Sequence, residues 1–214
     1  MKPLAELLKE AEGLHGKLCP GQVIGVRMAV VGCREIGISE PQQDRRLRVW
    51  AEIDRCATDA IQAVTGCKLG RRTLKFFDYG KMAATFLNTE AGRAVRVVAR
   101  DDARELAGRY APRVKDKQEA QLAAYLAMPE SELFLVHPVA IALSPYDEPG
   151  HPLKRVRCQS CGEGVNDDRE VYQDGRTLCR PCALGGYYRL LGPGEEAAAS
   201  TEEGPAQRGV LRDE

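Results

Sequence analysis

The sequence predicts an α+β fold, in which an antiparallel sheet packs with helices and a small cysteine-rich domain follows. Two N-terminal segments carry apolar residues at helical spacing, whereas residues 74–99 carry three consecutive strand patterns with short connections. Helical and strand segments do not alternate as repeating βαβ units. Hydrophobic residues make up 43% of the 214-residue chain, which is enough for a buried core.

The N-terminal segment, residues 1–14, predicts an amphipathic helix and not a signal peptide, because charged residues interrupt its apolar face. The apolar residues on that face are Leu4, Leu7, Leu8, Ala11 and Leu14. Pro20 fits the first turn of a second helix, which residues 23–31 continue and which we expect to end near Gly37. No stretch reaches the roughly 18 uninterrupted apolar residues that a membrane span needs.

The rest of the core is predicted to contain strands and helices in an irregular order. Residues 47–53 alternate as a strand, and residues 57–65 form a helix that Gly66 closes. We expect an antiparallel meander of three strands at residues 74–79, 81–87 and 93–99. Two helices are expected at residues 101–110 and 115–128, and a final strand at residues 133–143.

Four cysteines near the C-terminus have the spacing of a structural zinc site. Cys158 and Cys161 form one CxxC pair, and Cys179 and Cys182 form a second pair after 17 intervening residues. Residues 171–178 between the pairs predict a hairpin, and the pattern suits a treble-clef or ribbon zinc finger. A redox dithiol is the rival interpretation of an isolated CxxC, but two pairs at this separation favour zinc. Four thiolates fill a tetrahedral sphere, so we expect this zinc to be structural.

These patterns divide the chain into three regions. We expect an α+β core domain at residues 1–147, a four-cysteine zinc-finger domain at 148–191 and a disordered tail at 192–214. The run Pro-Gly-His-Pro at residues 149–152 punctuates the first boundary. The tail offers few apolar residues to bury and many chain breakers, so burial would not offset the entropy of ordering it.

The balance of charge excludes some classes of partner. Lys plus Arg and Asp plus Glu each number 31, so no net charge attracts nucleic acid or an anionic membrane, and we expect neither as a partner. The eight cysteines, without a secretory leader, predict a cytoplasmic protein. Its thiols are then metal ligands or reactive groups rather than disulfides.

The segment HGKLCPG at residues 15–21 places a thiol where a helix begins. Cys19 is the predicted N-cap residue of the helix that starts at Pro20, and Cys56 stands at the next helix start. The positive end of a helix dipole favours thiolate over thiol, and His15 is near enough in sequence to join Cys19. The alternative is that Cys19 is a small buried hydrophobe and His15 an ordinary loop residue.

The remaining candidate side chains have more ordinary interpretations. Cys67 follows a predicted helix end and is either a ligand or a packing residue. Asp59 is either a partner of a metal ligand or an ordinary acid in the first turn of its helix. Cys33 and His137 are expected in the core, and His151 belongs to the linker.

Three motifs resemble the FmdE family of formylmethanofuran dehydrogenase proteins: HGKLCPG at residues 15–21, CATDAIQ and TGC within residues 56–67, and DYGK at residues 78–81. The likeness covers about residues 10–100, and residues 158–188 are similar to the zinc finger that many members append. The family is named for its association with a molybdenum or tungsten enzyme that reduces carbon dioxide onto methanofuran. Many members occur in organisms without that pathway.

The resemblance implies an α+β core, a homodimer, and a metal or active site lined by matching residues. For that site we favour His15, Cys19 and Cys56. It also implies that Tyr79 and Lys81 supply a proton donor and a cation to an anionic substrate. Soft thiolates with one imidazole suit a second transition metal at this core site, whether zinc, copper(I), nickel or iron.

Two classes of function remain open, and whether the protein is an enzyme stays open with them. The first is an accessory or redox protein with a thiol–metal site, linked to a molybdenum or tungsten enzyme or to one-carbon metabolism. Its partner would be a small molecule or a metalloenzyme. The second is a non-catalytic zinc-finger module for interaction or regulation. The clustering of His15, Cys19 and Cys56 at helix starts favours the first class.

Overall fold

The computed structural model describes residues 1–192 and residue 194, and it forms two compact units. The first unit comprises Met1–Leu143, and the second begins at Ser144. The helices and strands of the first unit are α1 (Leu4–His15), α2 (Pro20–Glu35), β1 (Leu47–Ala51), α3 (Cys56–Thr65), β2 (Leu74–Phe76), β3 (Ala83–Asn88), β4 (Arg93–Ala99), α4 (Ala103–Tyr110), α5 (Lys117–Ala127), α6 (Glu130–Leu133) and β5 (Phe134–Val139). The predicted α+β fold class is confirmed.

Helix α2 is the central helix of the first unit and packs against α1, α3, α5 and the sheet. Two of its glycines permit this close packing. A Cβ atom at Gly25 would lie 2.4 Å from the carbonyl oxygen of Ala57 in α3, and one at Gly32 would lie 2.2 Å from the ring of Phe86 in β3. Any larger residue at either position would push the helix away from its neighbour. No helix in the described part of the chain has the length and apolar character needed to cross a membrane.

The strands form one mixed sheet in the order β2-β1-β3-β4-β5. Strands β1, β3, β4 and β5 pair antiparallel, with Phe86 opposite both Val49 and Val95. Strand β2 instead pairs parallel with β1, where Leu74 lies opposite Val49. The predicted antiparallel meander is therefore wrong at its first strand. Helix α3 connects β1 to β2 as a crossover, and a crossover returns the chain in the same direction.

Several strands are shorter than the sequence predicted, β2 and β5 most of all. Strand β2 ends at Phe76 because the following segment bonds to the end of β1, where the N–H groups of Tyr79 and Lys81 both donate to the carbonyl oxygen of Glu52. Strand β5 ends at Val139, and the short helix α6 that precedes it was not predicted.

The two faces of the sheet have different environments. The helices pack on the face that carries Val49, Phe86 and Val97, all of them buried. The opposite face carries a row of side chains from four adjacent strands, which are Trp50, Thr85, Arg96 and His137. His137 is exposed, so the prediction of a buried core histidine is wrong. Its strand is the edge of the sheet, and we call the face that carries this row the open face.

The second unit is built from two hairpins and a short helix. Its elements are β6 (Arg155–Arg157), β7 (Gly164–Asn166), β8 (Glu170–Gln173), β9 (Arg176–Cys179) and α7 (Arg180–Leu184). The β8–β9 hairpin confirms the hairpin predicted between the cysteine pairs, and its turn places Asp174 and Gly175 at φ 51° and 72°. The β6–β7 hairpin was not predicted. The tail predicted at residues 192–214 lies outside the described residues, apart from Gly192 and Gly194.

Candidate metal centres

The ends of three helices bring the core candidates together. His15 is the last residue of α1, after which Gly16 reverses the chain in the left-handed conformation with φ 94°. Cys19 is the N-cap of α2, as predicted, and Cys56 is the first residue of α3. The starts of α2 and α3 lie close together because Gly21 has no side chain. A Cβ atom there would lie 3.3 Å from Cβ of Cys56 and 3.9 Å from Sγ of Cys19.

His15, Cys19 and Cys56 form a compact group of metal-ligating atoms. One imidazole nitrogen and the two sulfurs all lie within 4.8 Å of one another, and the three residues are partly buried. Two soft sulfurs and one imidazole nitrogen are a donor set that suits zinc, copper(I), nickel or iron. The residues therefore fit a transition metal. Three protein ligands would leave one position of a tetrahedral sphere open, as in catalytic zinc sites.

Asp59 contacts the histidine of this group. Its Oδ2 atom lies 2.8 Å from Nδ1 of His15, across 44 residues of sequence. Asp59 is also an acid in the first turn of α3, so both interpretations left open by the sequence describe its position. A carboxylate beside Nδ1 favours the tautomer with the proton on Nδ1, which leaves Nε2 as the nitrogen for a metal.

The Cys56 thiol does not have the electrostatics that the sequence predicted. Burial raises the pKa of Cys56, and the hydrogen bond and charge of the neighbouring Cys19 raise it further. This direction is opposite to the lowering that the helix start predicted for Cys56. A neighbouring thiolate is a like charge, which disfavours the thiolate form of Cys56. A cation between the two sulfurs would remove this opposition, which is how metal binding releases thiol protons.

The other two cysteines of the first unit are buried in the core. Cys33 is fully buried, as expected, and burial raises its pKa well above the ordinary range. Burial likewise raises the pKa of Cys67, whose sulfur lies 4.0 Å from the carbonyl oxygen of Leu47. Neither belongs to the group formed by His15, Cys19 and Cys56. Their environment is that of packing residues.

Tyr79 and Lys81 lie in the exposed segment between β2 and β3. Their backbone N–H groups bond to the carbonyl oxygen of Glu52 at 3.2 and 3.1 Å. In the part of the chain that the structure describes, neither side chain hydrogen-bonds to the His15, Cys19 and Cys56 group. The ring of Tyr79 instead pairs with that of Phe77, with 6.1 Å between the ring centroids. Their catalytic roles remain predictions of the resemblance.

The four cysteines of the second unit form a second group of ligands. One sulfur from each of Cys158, Cys161, Cys179 and Cys182 lies within 4.8 Å of the others, and the sulfurs of Cys161 and Cys179 are 3.8 Å apart. Backbone N–H groups near Cys161 and Cys179 lower the pKa of Cys158 to about 6. Four sulfurs match the complete sphere of a structural zinc ion, and they leave no position for a substrate.

The sequence reasoning missed a buried ion pair on the open face of the sheet. Both carboxylate oxygens of Glu52 accept hydrogen bonds from Arg96 at 2.6 Å, and the Glu52 side chain is only 8% exposed. The sequence contained one signal for this pair. Side chains alternate between the two faces along β1, which places Trp50 and Glu52 on the face opposite Val49. A glutamate in that pattern needs a partner, and the sequence does not identify it.

Comparison with known proteins matches both units to established families. Residues 14–135, more than half of the chain, match the family model FmdE, described as molybdenum formylmethanofuran dehydrogenase operon. Residues 152–185 match the prokaryotic dksA/traR C4-type zinc finger. Together with the four-cysteine cluster, this match identifies the second unit as a zinc finger.

Two individual proteins are also similar. A probable S-adenosyl-L-methionine-binding protein from Archaeoglobus fulgidus is 30% identical over 219 aligned residues, which cover 89% of this chain and 56% of that protein. The chain thus spans about half the length of this curated relative. A crystal structure of a tungsten formylmethanofuran dehydrogenase FmdE-like protein from Syntrophus aciditrophicus covers 87% of this chain and 95% of its own. At 23% identity and a TM-score of 0.56, it supports the fold alone.

Proposed function

The chain belongs to the FmdE family, and we propose that it is a metal-binding accessory or redox protein whose core site holds one transition metal ion. The supporting observation is that the ligand atoms of His15, Cys19 and Cys56 converge within 4.8 Å from the ends of three different helices. Residues that only packed the core would be fully buried, as Cys33 is, whereas these three remain partly accessible. Zinc suits the donor set best, since two thiolates and an imidazole recur in catalytic zinc sites.

The chemistry of this site rests on an open coordination position. A bound metal ion would supply Lewis acidity to a ligand in that position. Asp59 holds the imidazole of His15 in one tautomer and orientation, so that Nε2 serves as the ligand. The close packing at Gly21 keeps both thiols at one end of the helix pair. Tyr79 and Lys81 are proposed to meet an anionic substrate, on the strength of the family motif alone.

The family name supports a link to molybdenum or tungsten formylmethanofuran dehydrogenase or to one-carbon metabolism. A homodimer, a small-molecule or metalloenzyme partner and a cytoplasmic location complete the proposal. The zinc finger is proposed to bind one structural zinc ion, because its four cysteines fill the coordination sphere. The alternative function is a non-catalytic module in which this finger contacts a partner and the core site binds no metal.

Metal content distinguishes these two functions. The full-length protein, purified after growth with added zinc, should contain about two metal ions per chain, one for each cysteine site. His15→Ala, Cys19→Ser and Cys56→Ser should each reduce the metal content to about one ion per chain, because the two ligands that remain would hold a metal ion only weakly. Cys33→Ala is the matched control, because it removes a thiol outside the group.

Elemental analysis combined with circular dichroism would separate loss of metal from loss of fold. If all three site variants keep the metal content of the parent while remaining folded, the core binds no metal and the non-catalytic function is the better one.

A further inference from the structure

The open face of the sheet carries a pocket that is separate from both cysteine sites. It has a volume of about 270 Å³ and shares no residue with either metal-ligating group. Three aromatic side chains, those of Trp50, Phe77 and Tyr79, contribute to its walls. The segment 139–141 forms another part of its lining, where the chain leaves strand β5. Ligand pockets are typically lined in this way by apolar and aromatic groups.

The backbone fixes the positions of these aromatic groups. Trp50 lies directly opposite Thr85 across the β1–β3 pairing, so both side chains share the open face. The carbonyl oxygen of Glu52 accepts hydrogen bonds from the N–H groups of Tyr79 and Lys81. These bonds hold the segment that follows β2 at the end of β1. The rings of Phe77 and Tyr79 are tilted by 38° to each other. The pocket is therefore built on strands and on a segment that backbone bonds restrain.

The polar side chains in the lining include those of Glu52 and Thr85. Both carboxylate oxygens of Glu52 accept hydrogen bonds from Arg96, which balances the charge of Glu52. Each oxygen retains a lone pair for a further hydrogen-bond donor. Thr85 is a lining residue that is 8% exposed, and it contributes a hydroxyl group. A hydroxyl in a pocket wall can both donate a hydrogen bond to a ligand and accept one from it.

We propose that this pocket binds a flat, uncharged heteroaromatic ring that carries N–H donors, of the size of a nucleobase. Aromatic walls favour a flat ring through stacking. Arg96 balances the charge of Glu52, so the pair gives the pocket no net charge with which to attract an ion. The volume lies just below the range of drug-sized sites, which suits one or two fused rings. The free lone pairs of Glu52 and the hydroxyl of Thr85 match the N–H groups of such a ring.

The test uses the fluorescence of Trp50, which is the only tryptophan of the chain. Adenine is the probe, because it is flat, uncharged at neutral pH and rich in N–H donors. Adenine should change the Trp50 emission saturably, after correction for its own absorption. Tyr79→Leu should weaken this binding about tenfold through lost stacking. Thr85→Val should weaken it about fivefold through the lost hydroxyl.

Matched controls make the result specific to the pocket. Tyr172→Leu removes an equally large ring from the surface of the second unit and should leave adenine binding unchanged. Benzoate, which is flat but anionic, and tetramethylammonium, which is a cation without a ring, should bind at least about tenfold more weakly than adenine. Tyr79 is 49% exposed and lies outside the buried core, so its replacement should leave the melting temperature near that of the parent.

Several outcomes would overturn the proposal. One is the absence of a saturable response to adenine, and another is equal binding by the parent, Tyr79→Leu and Thr85→Val proteins. Tighter binding of tetramethylammonium would make the pocket a cation cage instead. A Trp50 emission that shifts with protein concentration and not with adenine would make this face an interface between two copies of the chain.

Discussion

Replacing Asp59 by Ala should weaken metal binding at the core site without unfolding the first unit. The carboxylate lies 2.8 Å from Nδ1 of His15 and holds the imidazole with Nε2 free. Removing such a partner of a metal-ligating histidine typically weakens binding by about 10- to 100-fold. The Asp59 side chain is 43% exposed, so water screens its charge, and we expect a value near the lower end, about tenfold.

The assay is a chelator competition with cobalt(II), carried out on full-length protein whose finger holds zinc. Asp59→Asn keeps an oxygen that can accept the Nδ1 proton and should lose less affinity than Asp59→Ala. Asp54→Ala is the matched control, because it removes an exposed acid close to Cys56 in sequence. If Asp59→Ala binds cobalt within about twofold of the parent, or as tightly as Asp54→Ala does, the hydrogen bond does not position the ligand.

Three further changes test the packing, the electrostatics and the finger. Gly25→Ala should lower the free energy of unfolding by about 1–3 kcal/mol, because its methyl group would overlap α3. Gly13→Ala places its methyl group in open space and should raise the free energy of unfolding by up to about 1 kcal/mol. Equal effects of the two substitutions in urea unfolding would contradict the close packing of α2 on α3. Arg34 holds the pKa of Glu130 below its usual range, so this pair should add stability above about pH 4.3 that is lost as the pH falls. Glu130→Gln should reduce that acid dependence by less than about 1 kcal/mol, and an unchanged dependence in thermal melts would count against the pair. Stripping the finger zinc with a chelator should expose residues 158–182 to protease, whereas equal protection after the zinc is gone would refute its structural role.

Local signals in the sequence predicted much of the candidate site. Pro20 marks the start of α2 and thereby identifies Cys19 as the N-cap, while Gly66 marks the end of α3. These signals act within a few residues, so no tertiary information is needed. The spacing of the four finger cysteines is equally local, because each CxxC pair forms one turn.

Features that depend on distant partners could not be predicted in this way. The parallel pairing of β1 and β2 follows from the path of the crossover helix, which the strand patterns do not encode. The contact between Asp59 and His15 spans 44 residues, and the sequence left its role open. The pKa of Cys56 rises because of burial and then because of the hydrogen bond and charge of Cys19, and only the packed structure reveals these surroundings.

The central claim is that the core site binds a metal ion through His15, Cys19 and Cys56. Anomalous diffraction at the zinc absorption edge, from crystals of the full-length protein grown with zinc, tests it most directly. We predict one anomalous peak among the four finger cysteines and a second at the core, with the two core sulfurs at about 2.3 Å and Nε2 of His15 at about 2.0 Å. A peak confined to the finger, with Cys19 and Cys56 present as free thiols, would contradict the claim.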